Sequence, residues 1–120
     1  MKGQKLFVRA IEAADADEIR AFSEKNGGRP EIASGLLGKL VGDLAAVLEM
    51  ELQDEAIRIV SLVVAEELRR KRVGRVMLNE LAEVAARLEL DWIVADVVHA
   101  EFLERVGFIE ADGVMKRRVG

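Results

Sequence analysis

The 120-residue chain has no cysteine and no tyrosine, and only one proline, one histidine and one tryptophan. Without cysteine there can be no disulfide, thiol nucleophile or thiolate metal ligand. A single histidine leaves no ligand set from which to expect a zinc site, so no metal is expected. Aromatic residues make up 4% of the chain, which is poor material for stacking the bases of a nucleic acid. No apolar run approaches the roughly 18 residues needed to cross a bilayer, and no secretory leader is seen before Val8. A cytoplasmic, membrane-free location is therefore expected. Basic charge is not in excess either, since 18 Lys and Arg against 22 Asp and Glu give a net −4. Any anion binding must come from a local patch.

Half the residues are hydrophobic (51%) and a third are charged (33%), as in soluble globular proteins. With no repeat, linker or low-complexity tract, positions 1–120 read as one domain. Leu6 to Ala10 has the pattern of a first strand. A helix from about Asp15 to Lys25 places Ile19 and Phe22 on one face, with Asn26-Gly27-Gly28 as its stop. Glu31 to Ser34 and Leu40 to Leu52 suggest a strand pair joined around Gly35 to Gly38. Ile57 to Ala65 forms the next strand. Helical spacing returns from Arg75 to Leu88, where Met77, Leu81, Val84, Ala85 and Leu88 share a face. Trp92 to Val97 is a short strand and Ala100 to Val106 a short helix closed by Gly107. Phe108 to Val119 turns back on itself at Asp112-Gly113. The order β-α-β-β-β-α-β-α-β-β describes an α/β fold with an antiparallel front half and one strand–helix–strand crossover.

The richest stretch is Ser61 to Leu78, SLVVAEELRRKRVGRVML. An apolar strand, Leu62-Val63-Val64, gives way to the cationic corner Arg69-Arg70-Lys71-Arg72, and Val73-Gly74 then opens a helix. Peptide N–H groups at a helix N-terminus have no intrahelical partner and carry partial positive charge. A pyrophosphate can take up those donors, and glycine lets it approach the backbone closely.

This order and this corner resemble the GCN5-related N-acetyltransferase (GNAT) family over essentially the whole chain. The family's motif, Gln/Arg-x-x-Gly-x-Gly/Ala between strand and helix, is matched by Arg69-Arg70-Lys71-Arg72-Val73-Gly74. The opening VRAIEAADADEI is similar to the family's first strand and helix, and Phe102-Leu103-Glu104-Arg105-Val106-Gly107-Phe108 to its FYxxxGF signature. SLVV and HAEFLERVGF are also similar to the small N-acetylglutamate-synthase-like branch, which acetylates α-amino groups of amino acids or related amines. The resemblance implies a GNAT-like mixed central sheet flanked by helices, with acetyl-CoA as cofactor. It implies direct acetyl transfer to a primary amine of a small molecule. The main chain of Leu62, Val63 and Val64 would hold the pantetheine arm, and Arg69, Arg70, Lys71, Arg72, Val73, Gly74 and Arg75 the pyrophosphate.

Three departures stand out. Arg72 replaces the motif's first glycine. Leu103 occupies the position of the tyrosine that protonates the leaving thiolate, and the asparagine after the fifth strand has no counterpart. His99 could replace that tyrosine, because imidazole titrates near neutrality. Glu49, Glu51 and Asp96 are candidate bases for the attacking amine. Two other readings remain open: a catalytically silent CoA-binding module, and a nucleic-acid or protein interaction domain using the basic corner. A homodimer would cover the sheet edges that so small a domain leaves exposed.

Overall fold

Alternating apolar residues pair into one sheet in the computed structural model, which describes residues 5–119 of the chain. Its strands are β1 (Leu6–Ala10), β2 (Gly35–Leu40), β3 (Asp43–Leu52), β4 (Ala56–Val64), β5 (Trp92–Asp96), β6 (Ile109–Ala111) and β7 (Val114–Arg118). Helices α1 (Ala16–Asn26), α2 (Val73–Arg87) and α3 (Ala100–Arg105) fall after β1, β4 and β5. The element order is the one the sequence pattern predicts. In space the strands run β1-β2-β3-β4-β5-β7-β6. Only β4 and β5, joined by the α2 crossover, are parallel.

The two faces of the sheet are covered unequally. On one face Met77, Leu78, Leu81 and Ala85 of α2 pack with Leu48, Ile57, Ile93, Phe108 and Met115 in the main core. Leu88, which the periodicity places on the same stripe, ends the helix half exposed. On the other face α1 lays Ile19 and Phe22 against Val47 and Ala65. Each burial of a side chain this size contributes roughly 1.5–3 kcal/mol.

The expected second strand is displaced. Residues 31–34 lie outside any strand, and the glycines read as a turn instead lie within β2. The chain reverses at Val41-Gly42, where φ is +51° and +84°. Asp112-Gly113 forms the other tight hairpin as its sequence predicts, with φ of +53° and +82°.

The start of α1 is fixed by a feature that periodicity does not reveal. The Asp15 carboxylate accepts from Arg9 Nη1 and Nη2 at 2.8 and 2.7 Å and from the Glu12 backbone N–H at 2.7 Å. The Arg9 guanidinium first, and then that backbone N–H, hold the Asp15 pKa at about 2, below its ordinary 3.8. A lowered carboxylate pKa stabilises the fold above the unfolded-state value. The contribution fades as pH falls from about 4 towards 2. Arg9 is 44% exposed, so solvent screening reduces the contribution to about 1–2 kcal/mol. Asp15→Asn should lower the melting temperature at pH 7 by several degrees. At pH 2 the difference from the parent should nearly vanish, as read by circular dichroism melts across that range.

Candidate functional site

The site is built where the sheet splits. β4 pairs with β3 as far as Val64, yet it pairs with β5 only as far as Ile59, opposite Ala95. Between Ser61 and Ile59 the β3 register jumps from Glu49 to Met50, so Val60 is an extra residue. Such a bulge bends a strand and sharpens its twist. The far half of β4 thus leaves β5, and its outer edge is open. Val64 O accepts Arg69 Nε at 3.2 Å rather than a β3 donor. Backbone groups of alternate strand residues face alternate sides, so Leu62 turns its N–H and C=O to the same open edge.

A cleft follows this edge. Its inner part, about 330 Å³, is lined by Ser61, Leu62, Asp96, His99, Phe102 and Leu103, among others. Its outer part, about 540 Å³, includes Leu62, Val64, Arg72, Gly74, His99 and Phe102 in its wall. Leu62, His99 and Phe102 line both, which makes the cleft continuous from the split to the basic corner.

At that corner the backbone amides of residues 70–75 have no backbone partner among the described residues, and the first bond of α2 is Val76 N–H to Arg72 O at 3.1 Å. Arg70 and Arg72 both have φ of +67°. Left-handed backbone beside helical residues turns successive N–H groups into an anion-binding concavity. For an L-residue that conformation costs roughly 1–2 kcal/mol, which explains why the family's motif carries glycine where this chain has Arg72. Gly74 forms the floor. A Cβ there would stand 3.1 Å from Phe102 Cζ and 3.8 Å from Leu62 Cδ2.

The cations of the corner do different things. Arg69 spends its donors on main-chain carbonyls, Nε on Val64 O and Nη2 on Asn26 O, both at 3.2 Å. Asn26 Oδ1 in turn accepts the Glu66 N–H at 3.0 Å, so the end of α1 clamps the loop. From the sequence Asn26 reads only as a helix stop. Arg70, Lys71 and Arg72 are exposed and form no ion pair among the described residues. They remain free to meet an anion.

The candidate acid and bases separate spatially. His99 is exposed, caps α3 with φ of +57°, and borders both parts of the cleft. Asp96 lines the inner part but is bonded to Arg58 Nη2 at 3.1 Å. Glu51 takes Arg58 Nη1 at 3.2 Å and borders neither part. Glu49 likewise borders neither part, but it is the register partner of Ser61, one strand in from the split. Its buried Oε1 lies 2.8 Å from Arg29 Nε, yet no well-directed hydrogen bond reaches it. Leu103, where the resemblance implies a tyrosine, is buried in the main core and faces the inner cleft.

The Acetyltransferase (GNAT) family profile matches residues 5–108, and the chain belongs to that family. It is an N-acetyltransferase by family, with acetyl-CoA as acetyl donor. No curated protein sequence matches the chain. Solved structures share the fold at low identity. N-acetylglutamate synthase from Neisseria gonorrhoeae, complexed with coenzyme A and N-acetyl-glutamate, superposes with TM-score 0.81 at 15% identity, over 97% of this chain and 35% of that one. A GNAT family acetyltransferase from Brucella melitensis in complex with acetyl-CoA gives 0.78 at 12% identity, over 97% and 89%. The PaiA N-acetyltransferase from Thermoplasma acidophilum in complex with coenzyme A gives 0.78 at 11% identity, over 95% and 99%. Among the described residues no helix is long and apolar enough to cross a membrane.

Proposed function

We propose that this chain moves the acetyl group of acetyl-CoA directly to the primary amine of a small molecule, with α-amino acids the first acceptors to test. One observation carries the reading: the unpaired edge of β4 at Leu62 runs without interruption into a corner of partnerless amides and unpaired cations. That is the shape and polarity of a pantetheine arm ending in a pyrophosphate. The residues therefore fit the cofactor, Arg69 as a clamp on the loop rather than as a phosphate ligand.

Bound acetyl-CoA supplies an activated acetyl thioester; the protein supplies position, a donor and a proton path. Leu62 N–H, facing the open edge, can donate to the carbonyl oxygen as negative charge builds there, and one well-aimed donor of this kind is worth roughly 3 kcal/mol. Holding two reactants side by side in a narrow cleft accounts for much of the remaining rate. The amine must arrive or become neutral. Glu49 is the proposed sink for its proton, because its buried Oε1 lacks a directed donor and its strand partner Ser61 borders the split. His99, at the junction of the two parts of the cleft, is the proposed proton donor to the departing thiolate.

A silent CoA-binding module is the second reading, favoured by Leu103 lining the inner cleft without a proton to give. Two measurements decide. Acetyl-CoA at a hundred times its Kd should stabilise the fold by about 2.7 kcal/mol, several degrees of melting temperature. Failure of any shift at millimolar acetyl-CoA would end both cofactor readings. Thiol release should then be followed over a panel of α-amino acids and other small primary amines. Turnover supports the enzyme, with Glu49→Gln expected to lower kcat by roughly a hundredfold. Binding without release across the panel supports the module.

A further inference from the structure

Arg72 stands where the family's motif has glycine, yet its backbone keeps a conformation that suits glycine. Both Arg70 and Arg72 have φ of +67°, which glycine reaches freely and an L-residue avoids. Backbone of this kind persists only where its surroundings impose it. Nothing inside the turn does so. Among the described residues the amides of residues 70–72 have no backbone partner, and their side chains form no ion pair. The turn must therefore be set by its two ends. On the far side α2 begins with Val73 buried in the main core and with the Val76 N–H on Arg72 O. On the near side the chain is tied twice to the last residue of α1.

Both ties meet at Asn26. Its Oδ1 accepts the Glu66 N–H at 3.0 Å and its carbonyl accepts Arg69 Nη2 at 3.2 Å. Its Nδ2 donates to Phe22 O at 3.1 Å, which fixes the side chain against α1. Arg69 Nε on Val64 O, at 3.2 Å, adds a hold on β4. Helix α1 is itself anchored by Ile19 and Phe22 in the second core. The chain is thus fixed to a helix and a strand immediately before it turns left-handed at Arg70. Asn26 lies in the wall of the outer cleft, but both polar atoms of its side chain are already committed within the fold. We infer that Asn26 is a positioning residue for CoA: with Arg69 it holds residues 70–72 in the anion-binding turn, and so offsets the loss of glycine at position 72. The inference rests on the cleft's being the CoA site.

Isothermal titration of CoA against a double-mutant cycle in the whole chain tests it. With the clamp released, only a fraction of molecules presents the turn, and apparent affinity falls by that fraction. From the usual cost of a left-handed L-residue, Asn26→Ala should weaken CoA binding roughly tenfold. In an Arg72→Gly background the same substitution should cost no more than about threefold, because glycine takes up that conformation unaided. A direct contact between Asn26 and CoA would instead be lost equally in both backgrounds. Arg69→Lys keeps the charge but lacks the fork that reaches two carbonyls, so it should weaken CoA much as Asn26→Ala does. Asn26 is half-buried at a helix end, and its alanine variant should melt within a few degrees of the parent. Parent-like affinity in Asn26→Ala or in Arg69→Lys, or equal losses in the two backgrounds, would overturn the inference while the cleft assignment stands. If the parent chain does not bind CoA, the cleft assignment falls and the inference with it.

Discussion

Gly74→Glu is expected to abolish CoA binding while the chain stays folded. Three features of position 74 converge on that result. Its amide is one of a run, residues 70–75, without backbone partners. A Cβ on it would meet Phe102 Cζ at 3.1 Å and Leu62 Cδ2 at 3.8 Å, so any side chain must grow into the cleft. A carboxylate placed there would take the helix N-terminal donors for itself, which favours the folded state by a few tenths of a kcal/mol to about 1 kcal/mol. Glutamate also suits a helix better than glycine by nearly 1 kcal/mol. The fold therefore loses little, since Phe102 is only partly buried and can turn aside. A phosphate, by contrast, meets occupied donors, a like charge and a filled floor. Losing several charge-assisted hydrogen bonds at about 1.5–3 kcal/mol each corresponds to a drop of at least a hundredfold in affinity. Titration calorimetry on Gly74→Glu, with its melting curve as the control for folding, would check this. Gly74→Ala should lose much less, because one methyl needs only a small retreat of the Phe102 ring. Undiminished CoA affinity in Gly74→Glu would place the phosphates elsewhere.

Much of this site was legible in the sequence because its chemistry is local. Strand, cationic turn and helix entry lie within 18 consecutive residues, and the partnerless amides follow from where α2 must begin. Three other parts depend on contacts distant in sequence. Arg69 looks like one more phosphate cation until Val64 O and Asn26 O are seen to hold it, across 43 positions in the second case. Arg105 lines the outer cleft from 30 positions beyond Arg75, which donates to its carbonyl. Glu49 and Glu51 look equivalent along β3, yet one is only partly exposed beside Ser61 and the other is exposed on Arg58. The open edge of β4 is likewise a property of the β3 register, where Val60 becomes surplus, and no residue in that stretch announces a bulge. At fold level the helices and the Asp112-Gly113 hairpin were legible for the same local reason. Helical periodicity and a two-residue turn each report on neighbours a few positions apart.

Gly35→Ala should be the most destabilising glycine-to-alanine change among the described residues, and it concerns a stretch where the sequence misleads about the fold. Glycines at 35 and 38 look like turn residues because glycine frees the backbone. Here they are strand residues, and what matters is their lack of a side chain. A Cβ on Gly35 would be placed on top of Leu48 O, and within 3.0 Å of Leu48 C and 3.2 Å of Glu49 Cα. All three atoms are backbone of β3, so no rotamer change can make room. Gly35 is also held on its other side, where its carbonyl accepts the Ile11 N–H at 3.0 Å, and the neighbouring Ser34 carbonyl accepts from Met50 at 3.0 Å. Backing away from Leu48 must therefore strain or break the start of the β1–β2–β3 ladder. A forced backbone rearrangement of this kind is expected to cost roughly 3 kcal/mol or more. For a domain of this size that is on the order of 10–15 °C in melting temperature. Gly38→Ala should cost less, since its nearest neighbours are the Met77 and Leu6 side chains, which can shift. Gly42→Ala separates the two roles of glycine. Its φ is +84° but no atom lies within 4 Å of its Cβ position, so only the left-handed cost of about 1 kcal/mol applies. Thermal melts of the three alanine variants should rank Gly35 far below Gly38 and Gly42. Equal melting of Gly35→Ala and Gly42→Ala would mean that β2 is misplaced against β3. Glu49, whose place beside the split depends on that pairing, would then lose its claim as the base.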